Sequence, residues 1–258
     1  MPEIPDAIAH RTSWLRPYDS DSEAEATVFL FHYSGGGVSM YSRWPDWTPP
    51  SVQCRRVQLP GRQDREAERP FTAIGPLVDA VCDVLAGELD DRPFVLFGHS
   101  MGALLAYRVA LTLERSAAQH PALVGVSGWA PEGFQGPNRS LAGATDETIA
   151  NLIERLGAAP AEDLARTALP PSSVTAMRAD LAVCASYLDD GLAVRCPLVA
   201  YAGREDPFLA PGAMRSWQAR GSPFLGVREF PGGHFFIHDQ GPGIAADLVQ
   251  LLRQHRPG

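Results

Sequence analysis

PFVLFGHSMGALLAYRVAL, residues 93–111, decides the fold. Its first half, Phe94 to Phe97, is a short run of apolar residues of the kind that fills a strand buried on both faces. Its second half opens a run, residues 103–113, with apolar side chains at helical spacing. Between them lies Gly98-His99-Ser100-Met101-Gly102, a G-x-S-x-G pattern. A serine in a tight strand-to-helix turn has its hydroxyl lifted above the sheet. Glycines two residues on either side let strand and helix approach closely. The helix start behind Ser100 also favours developing negative charge. The context carries the reading, because the five-residue pattern alone is common.

Outward from this stretch, strand-like and helix-like runs alternate. Residues 27–33 (TVFLFHY) and 52–59 read as strands, 77–89 as a helix, and 123–126 as another strand. Segments 197–202 and 225–230 read as the last two strands, with a helix at 213–219 between them. A closing helix is expected over 244–252. This rhythm predicts one α/β domain over residues 1–258, with a mostly parallel sheet covered by helices on both faces. The segment 131–190 breaks it. It has helical character, no convincing strand, and prolines at Pro160 and Pro170-Pro171, so it reads as a helical lid inserted into the domain.

A nucleophilic serine needs a base and an acid, in chain order Ser, Asp or Glu, His for this type of turn. Asp206 follows the strand 197–202 in Gly203-Arg204-Glu205-Asp206-Pro207, and His234 follows the strand 225–230 in Pro231-Gly232-Gly233-His234. Both loops leave the carboxyl ends of parallel strands, the edge where Ser100 also lies. Glu205 is the competing acid and His238 the competing base. His32 and His99 lie in a strand end and inside the turn, and His10, His120 and His255 read as surface or terminal residues. In the resulting mechanism His234 takes the Ser100 proton and Asp206 fixes the tautomer. The oxyanion would be met by the N–H groups of Met101 and of Ser34, the latter in the glycine-rich run Ser34-Gly35-Gly36-Gly37. The alternative for that run is a plain strand-to-helix turn.

Composition narrows the alternatives. Hydrophobic residues make up 45% and charged residues 20% of the 258, as in a soluble globular chain. A net charge of −8 argues against non-specific nucleic-acid binding. The basic residues are all arginine, which excludes a Schiff-base lysine, a P-loop lysine and a Ser-Lys dyad. No apolar run reaches about 18 residues, and Met1–Arg11 has no apolar stretch of signal-peptide kind, so no membrane association and a cytosolic location are expected. Cys54, Cys82, Cys184 and Cys196 are widely spaced in apolar runs and read as buried thiols, and no Cys/His spacing suggests a metal. No metal or organic cofactor is expected.

Seven stretches together resemble the type II thioesterases that accompany polyketide synthases and non-ribosomal peptide synthetases: FHYSGGG (31–37), VQLPGR (57–62), LFGHSMGALLAY (96–107), VSGWAPE (126–132), MRADLAVCASY (177–187), AGREDP (202–207) and FPGGHFFIH (230–238). The resemblance runs from about Thr27 to the end. It implies an α/β-hydrolase fold and a stand-alone enzyme that hydrolyses acyl thioesters on the phosphopantetheine arm of acyl or peptidyl carrier proteins. Such an enzyme clears stalled or aberrant acyl groups. The chain departs from the family's frequent Pro at His32, Ala at Ser34 and Arg at Trp129. Under this reading Trp129, Phe134, Leu152 and Leu156 would line an acyl chamber, although ordinary lid packing explains them equally. Carriers of this kind are acidic, so docking would need a basic patch. Arg62, Arg65 and Arg69, near Arg55 and Arg56, are the candidates, against a plain solvated loop neutralised by Asp64, Glu66 and Glu68. A medium-chain acyl carrier thioesterase, an esterase or acyltransferase with the same triad, and a catalytically silent carrier-binding protein remain as alternatives.

Overall fold

The computed structural model describes residues 14–17, 21–116, 119–136, 141, 143–156 and 170–255. Met1–Arg11 and Pro160, both interpreted above, lie outside these residues. The strands are β1 (Leu15–Arg16), β2 (Ala26–Phe31), β3 (Val52–Val57), β4 (Phe94–His99), β5 (Leu123–Ser127), β6 (Leu198–Gly203) and β7 (Phe224–Phe230). The helices are α1 (Ile74–Ala86), α2 (Met101–Arg115), α3 (Asp146–Leu156), α4 (Pro171–Ser186) and α5 (Ile237–Gln254).

The strands form one sheet in the order β1-β3-β2-β4-β5-β6-β7. β1 runs antiparallel to β3, and every other pairing is parallel. With neighbouring strands and intervening helices this is the α/β-hydrolase arrangement expected. Alternation along the strands builds a core on each face. Phe29, Phe31 and Leu96 pack with Val81, Leu104 and Val109 of α1 and α2. Val28, Leu30, Val95 and Phe97 pack with Ile244 and Leu248 of α5 on the other face.

Register aligns the strand ends that matter. Phe31 lies opposite Gly98, His99 opposite Ser127, and Gly203 opposite Phe230. The loops after β2, β4, β6 and β7 therefore open on one edge of the sheet. Between β5 and β6 the described residues form α3 and α4. Ile149, Ile153, Met177 and Leu181 of these helices make a separate small core with Tyr33.

Three differences from the sequence reading have physical causes. The segment Leu15–Arg16, not among the strands expected from the sequence, adds an antiparallel edge to β3. The segment Ala213–Ala219 winds as a 3₁₀ helix, which brings Met214 and Trp217, three residues apart, onto the same buried side. The last helix starts at Ile237, seven residues before the expected start, and runs through Pro242. The glycine before that proline is a packing site: a Cβ on Gly241 would lie 2.2 Å from the Trp47 ring.

Candidate active site

Ser100 holds φ 56° and ψ −119°, a conformation that non-glycine residues rarely adopt. Its surroundings impose it. A Cβ on Gly98 would lie 1.9 Å from the Gly102 carbonyl oxygen, and a Cβ on Gly102 would lie 2.1 Å from that of Phe31. Only glycine lets α2 turn back so tightly on β4 and β2. The Ser100 N–H donates to Ser127 O at 2.7 Å, which pins the turn to β5. The hydroxyl is thereby presented at the carboxyl edge of the sheet.

The other two side chains come from loops fastened to each other. Gly203 at the end of β6 approaches the carbonyls of Gly232 and Gly233 so closely that a Cβ would lie 2.4 Å from each. Arg204 N–H donates to Phe230 O at 2.9 Å and Glu205 N–H to Gly232 O at 3.1 Å. This stitching brings Asp206 and His234 together. His234 Nδ1 donates to Asp206 Oδ2 at 2.9 Å, and Ser100 Oγ donates to His234 Nε2 at 3.1 Å, the tautomer being the one that serves both partners. Asp206 and His234 are both buried. Asp206 Oδ1 also accepts the Phe208 N–H at 2.9 Å, so neither carboxylate oxygen is left unpaired. The relay can deprotonate Ser100 during attack on an acyl carbon.

The competing residues are engaged elsewhere. Glu205 Oε2 accepts the Gly232 N–H at 2.5 Å. His238 Nε2 is 3.3 Å from the Tyr33 hydroxyl. His99 points into the core, its Nδ1 2.9 Å from Ser127 Oγ, and burial holds its pKa well below the ordinary imidazole value. His32, buried with Nδ1 donating to Tyr33 O, is lowered to about 4, first by burial and then by Arg62.

After β2 the chain makes a turn over Tyr33-Ser34-Gly35-Gly36. Gly36 N–H donates to Tyr33 O at 3.0 Å, and Gly35 has φ 77°. This leaves the N–H of Ser34 outside the turn's own hydrogen bond. The Met101 N–H, first in α2, has no acceptor within its helix. Ser34, Met101 and Ser100 line one cavity.

That cavity corrects part of the expected chamber. Trp129 and Phe134 line it, but Leu152 does not; it packs in the small core of α3 and α4. The side chain of Leu156 lies outside the described residues. The remaining wall comes from Tyr33, Met177, Leu181, Cys184, Phe208 and Phe235, which the sequence reading did not single out. Five of the six fall inside stretches quoted for the resemblance, namely Tyr33 in FHYSGGG, Met177, Leu181 and Cys184 in MRADLAVCASY, and Phe235 in FPGGHFFIH, and this was the available signal.

The docking candidates divide. Arg62 is buried and gives both terminal nitrogens to Asp180, at 2.6 and 2.8 Å. Arg65 is buried too: it donates to Glu68 and to Gln58 O, and its guanidinium lies 4.4 Å from the Trp14 ring centroid. Neither presents a charge to a partner, because each is consumed by an internal acceptor. Arg55 is likewise buried against Glu88. Arg69 is exposed. Among the described residues no group of three or more His, Cys, Asp or Glu is arranged to hold a metal ion, and no helix is long and apolar enough to cross a membrane.

The profile of a family described as thioesterase domain matches residues 26–252. The gramicidin S biosynthesis protein GrsT of Aneurinibacillus migulanus is 28% identical over 95% of this chain and 96% of its own. Among solved structures, RedJ, a thioesterase of the prodiginine biosynthetic pathway in Streptomyces coelicolor, superimposes with a TM-score of 0.78 at 33% identity, covering 88% of this chain and 91% of its own. BorB, the type II thioesterase of the borrelidin biosynthetic cluster, gives a TM-score of 0.82 at 29% identity over 93% and 97%.

Proposed function

The chain belongs to the thioesterase family, and on that premise we propose that it is a type II thioesterase that hydrolyses acyl thioesters on the phosphopantetheine arm of carrier proteins, clearing aberrant or stalled acyl groups from a polyketide synthase or non-ribosomal peptide synthetase. The observation that carries the proposal is the hydrogen-bonded series Ser100–His234–Asp206 opening into an apolar cavity. The similarity to GrsT, RedJ and BorB supports the choice of substrate class.

In this reading the acyl group enters between Trp129, Phe134 and α4, and its carbonyl carbon meets Ser100 Oγ. His234 Nε2 receives the serine proton while Asp206 stabilises the imidazolium. The developing oxyanion is met by Met101 N–H and Ser34 N–H. Collapse breaks the carbon–sulfur bond, and the proton held on His234 passes to the departing sulfur, which leaves as the carrier's thiol more readily than an alkoxide would because thiols ionise at about 8.5. His234 then activates water to release the acid from Ser100. The proposal needs no cofactor beyond the arm that the substrate itself carries.

The test is hydrolysis of acyl-phosphopantetheinyl carriers from acetyl to decanoyl by the wild type and by Ser100→Ala. Ser100-dependent release of short acyl groups, with holo-carrier regenerated, is expected. Release confined to medium or long chains would make the protein a chain-terminating thioesterase. Turnover of oxygen esters alone would sink the thioesterase reading and leave the triad standing.

A further inference from the structure

Beneath the turn that carries Ser34 lies a buried ion pair that the reaction chemistry does not use. Asp180 of α4 accepts Arg62 Nη1 on Oδ2 at 2.6 Å and Arg62 Nη2 on Oδ1 at 2.8 Å. Asp180 Oδ2 also accepts the Gly35 N–H at 2.8 Å. Arg62 Nη1 reaches Gly36 O at 3.3 Å, and Nε and Nη2 reach Pro60 O at 3.4 and 3.5 Å. Both partners are almost wholly removed from solvent.

A buried ion pair is a poor device for stability alone, because desolvation offsets most of the Coulombic gain. The arrangement does have a geometric consequence. Asp180 holds the peptide N–H immediately after Ser34, and Arg62 holds the carbonyl one residue further on. The turn is gripped at two successive residues, and its orientation relative to Ser100 is fixed from below. Oxyanion donors stabilise a transition state only when held in advance at the site of developing charge. We propose that Arg62 and Asp180 are positioning residues for the oxyanion turn, holding Ser34 N–H where the tetrahedral oxyanion forms. The inference rests on the reading of Ser34 and Met101 as the oxyanion donors. Met177, Leu181 and Cys184, on the same helix as Asp180, line the cavity, so one helix both contacts the acyl group and holds the turn.

The experiment compares wild type, Asp180→Ala and Arg62→Lys on the acetyl thioester of N-acetylcysteamine, with n-butylboronic acid as a tetrahedral-adduct inhibitor. Asp180→Ala is expected to lower kcat by about 100-fold, the lower end of the loss seen when one oxyanion donor is removed. KM should change little, and the boronic acid should weaken in parallel with kcat/KM. Arg62→Lys cannot span both Asp180 oxygens and Gly36 O with one ammonium group, so a smaller fall in kcat with the same pattern is expected. It serves as the deciding variant if Asp180→Ala does not fold. A folded variant with wild-type kcat and boronic acid affinity overturns the proposal, as does a loss confined to KM. Ser100→Ala in the same assay separates the two levels. Turnover that survives it sinks the active-site reading itself, whereas Ser100-dependent turnover with normal Asp180 and Arg62 variants sinks only this inference.

Discussion

Glu205 and Asp206 are consecutive, yet only Asp206 faces the base. Its Oδ2 lies 2.9 Å from His234 Nδ1, while the Glu205 carboxylate turns to the Gly232 N–H at 2.5 Å. One residue thus orients the imidazole and its neighbour ties the two loops together. Asp206→Asn keeps the side-chain shape but no longer fixes the tautomer that Ser100 needs. We expect kcat for thioester hydrolysis to fall roughly 10⁴-fold with the fold retained. Glu205→Gln preserves an acceptor for Gly232 and should leave kcat within a few-fold of wild type. Steady-state kinetics and circular dichroism on both variants decide the matter, and a comparable loss in Glu205→Gln would reassign the acid.

Gly102 is the joint at which α2 meets the strand that leads into the Ser34 turn. A methyl there would lie 2.1 Å from Phe31 O, at the end of the strand that leads into the Ser34 turn. Gly102→Ala must therefore push α2 away from β2, moving Met101 and the Ser34 turn apart. Overpacking of this kind costs about 1–3 kcal/mol or more. In a chain of this size that lowers Tm by roughly 2–4 °C per kcal/mol. Calorimetry should record the drop together with a loss of kcat, and an unshifted Tm with full activity would show that the joint has slack.

These two sites were legible in the sequence because their chemistry is local. A nucleophile between a buried strand and a helix, and two polar residues directly after late strands, fix their own surroundings through the shared edge of a parallel sheet. Arg62 and Arg65 were misread for the opposite reason. A cluster of arginines in sequence looks like a solvated patch, and the partner that buries Arg62 lies 118 residues away. The chamber wall was hidden by α4. Ser173, Ala176, Met177, Ala179, Asp180, Leu181 and Val183 are all buried there, so periodicity marks no single inward face and cannot say which side chains meet Ser100. Strand β1, two residues long, carries too little pattern to announce its pairing with β3.

The cavity wall predicts where acyl length is controlled. Cys184 is half-buried in that wall, and burial pushes its thiol up to about 12, so it is neutral and inert at working pH. Cys184→Phe fills space that the acyl chain would use. Its kcat/KM should fall progressively from acetyl to decanoyl thioesters, with acetyl turnover least affected. Leu152→Ala, outside the cavity, should leave the chain-length profile unchanged. A flat loss in Cys184→Phe at every length would mean that the acyl chain runs another way.

The His32 ring supplies a test through pH. Its folded pKa is about 4 against 6.5 in the unfolded chain, because burial and the neighbouring Arg62 oppose its charge. Below 6.5 the unfolded chain takes up a proton that the folded protein refuses until about pH 4. Stability is therefore unaffected by this group above pH 6.5 and falls as pH is lowered through that window. The slope for one such proton is about 1.4 kcal/mol per pH unit. His32→Asn keeps an N–H donor for Tyr33 O and removes the titration. Urea unfolding at pH 7 and pH 5 should show the wild type losing about 2 kcal/mol more than the variant between the two conditions. His99, lowered in the same direction by burial, remains in both proteins and cancels in the comparison. Equal losses in the two proteins would mean that His32 accepts its proton in the folded state as readily as in the unfolded chain, and that its surroundings open to water on acidification.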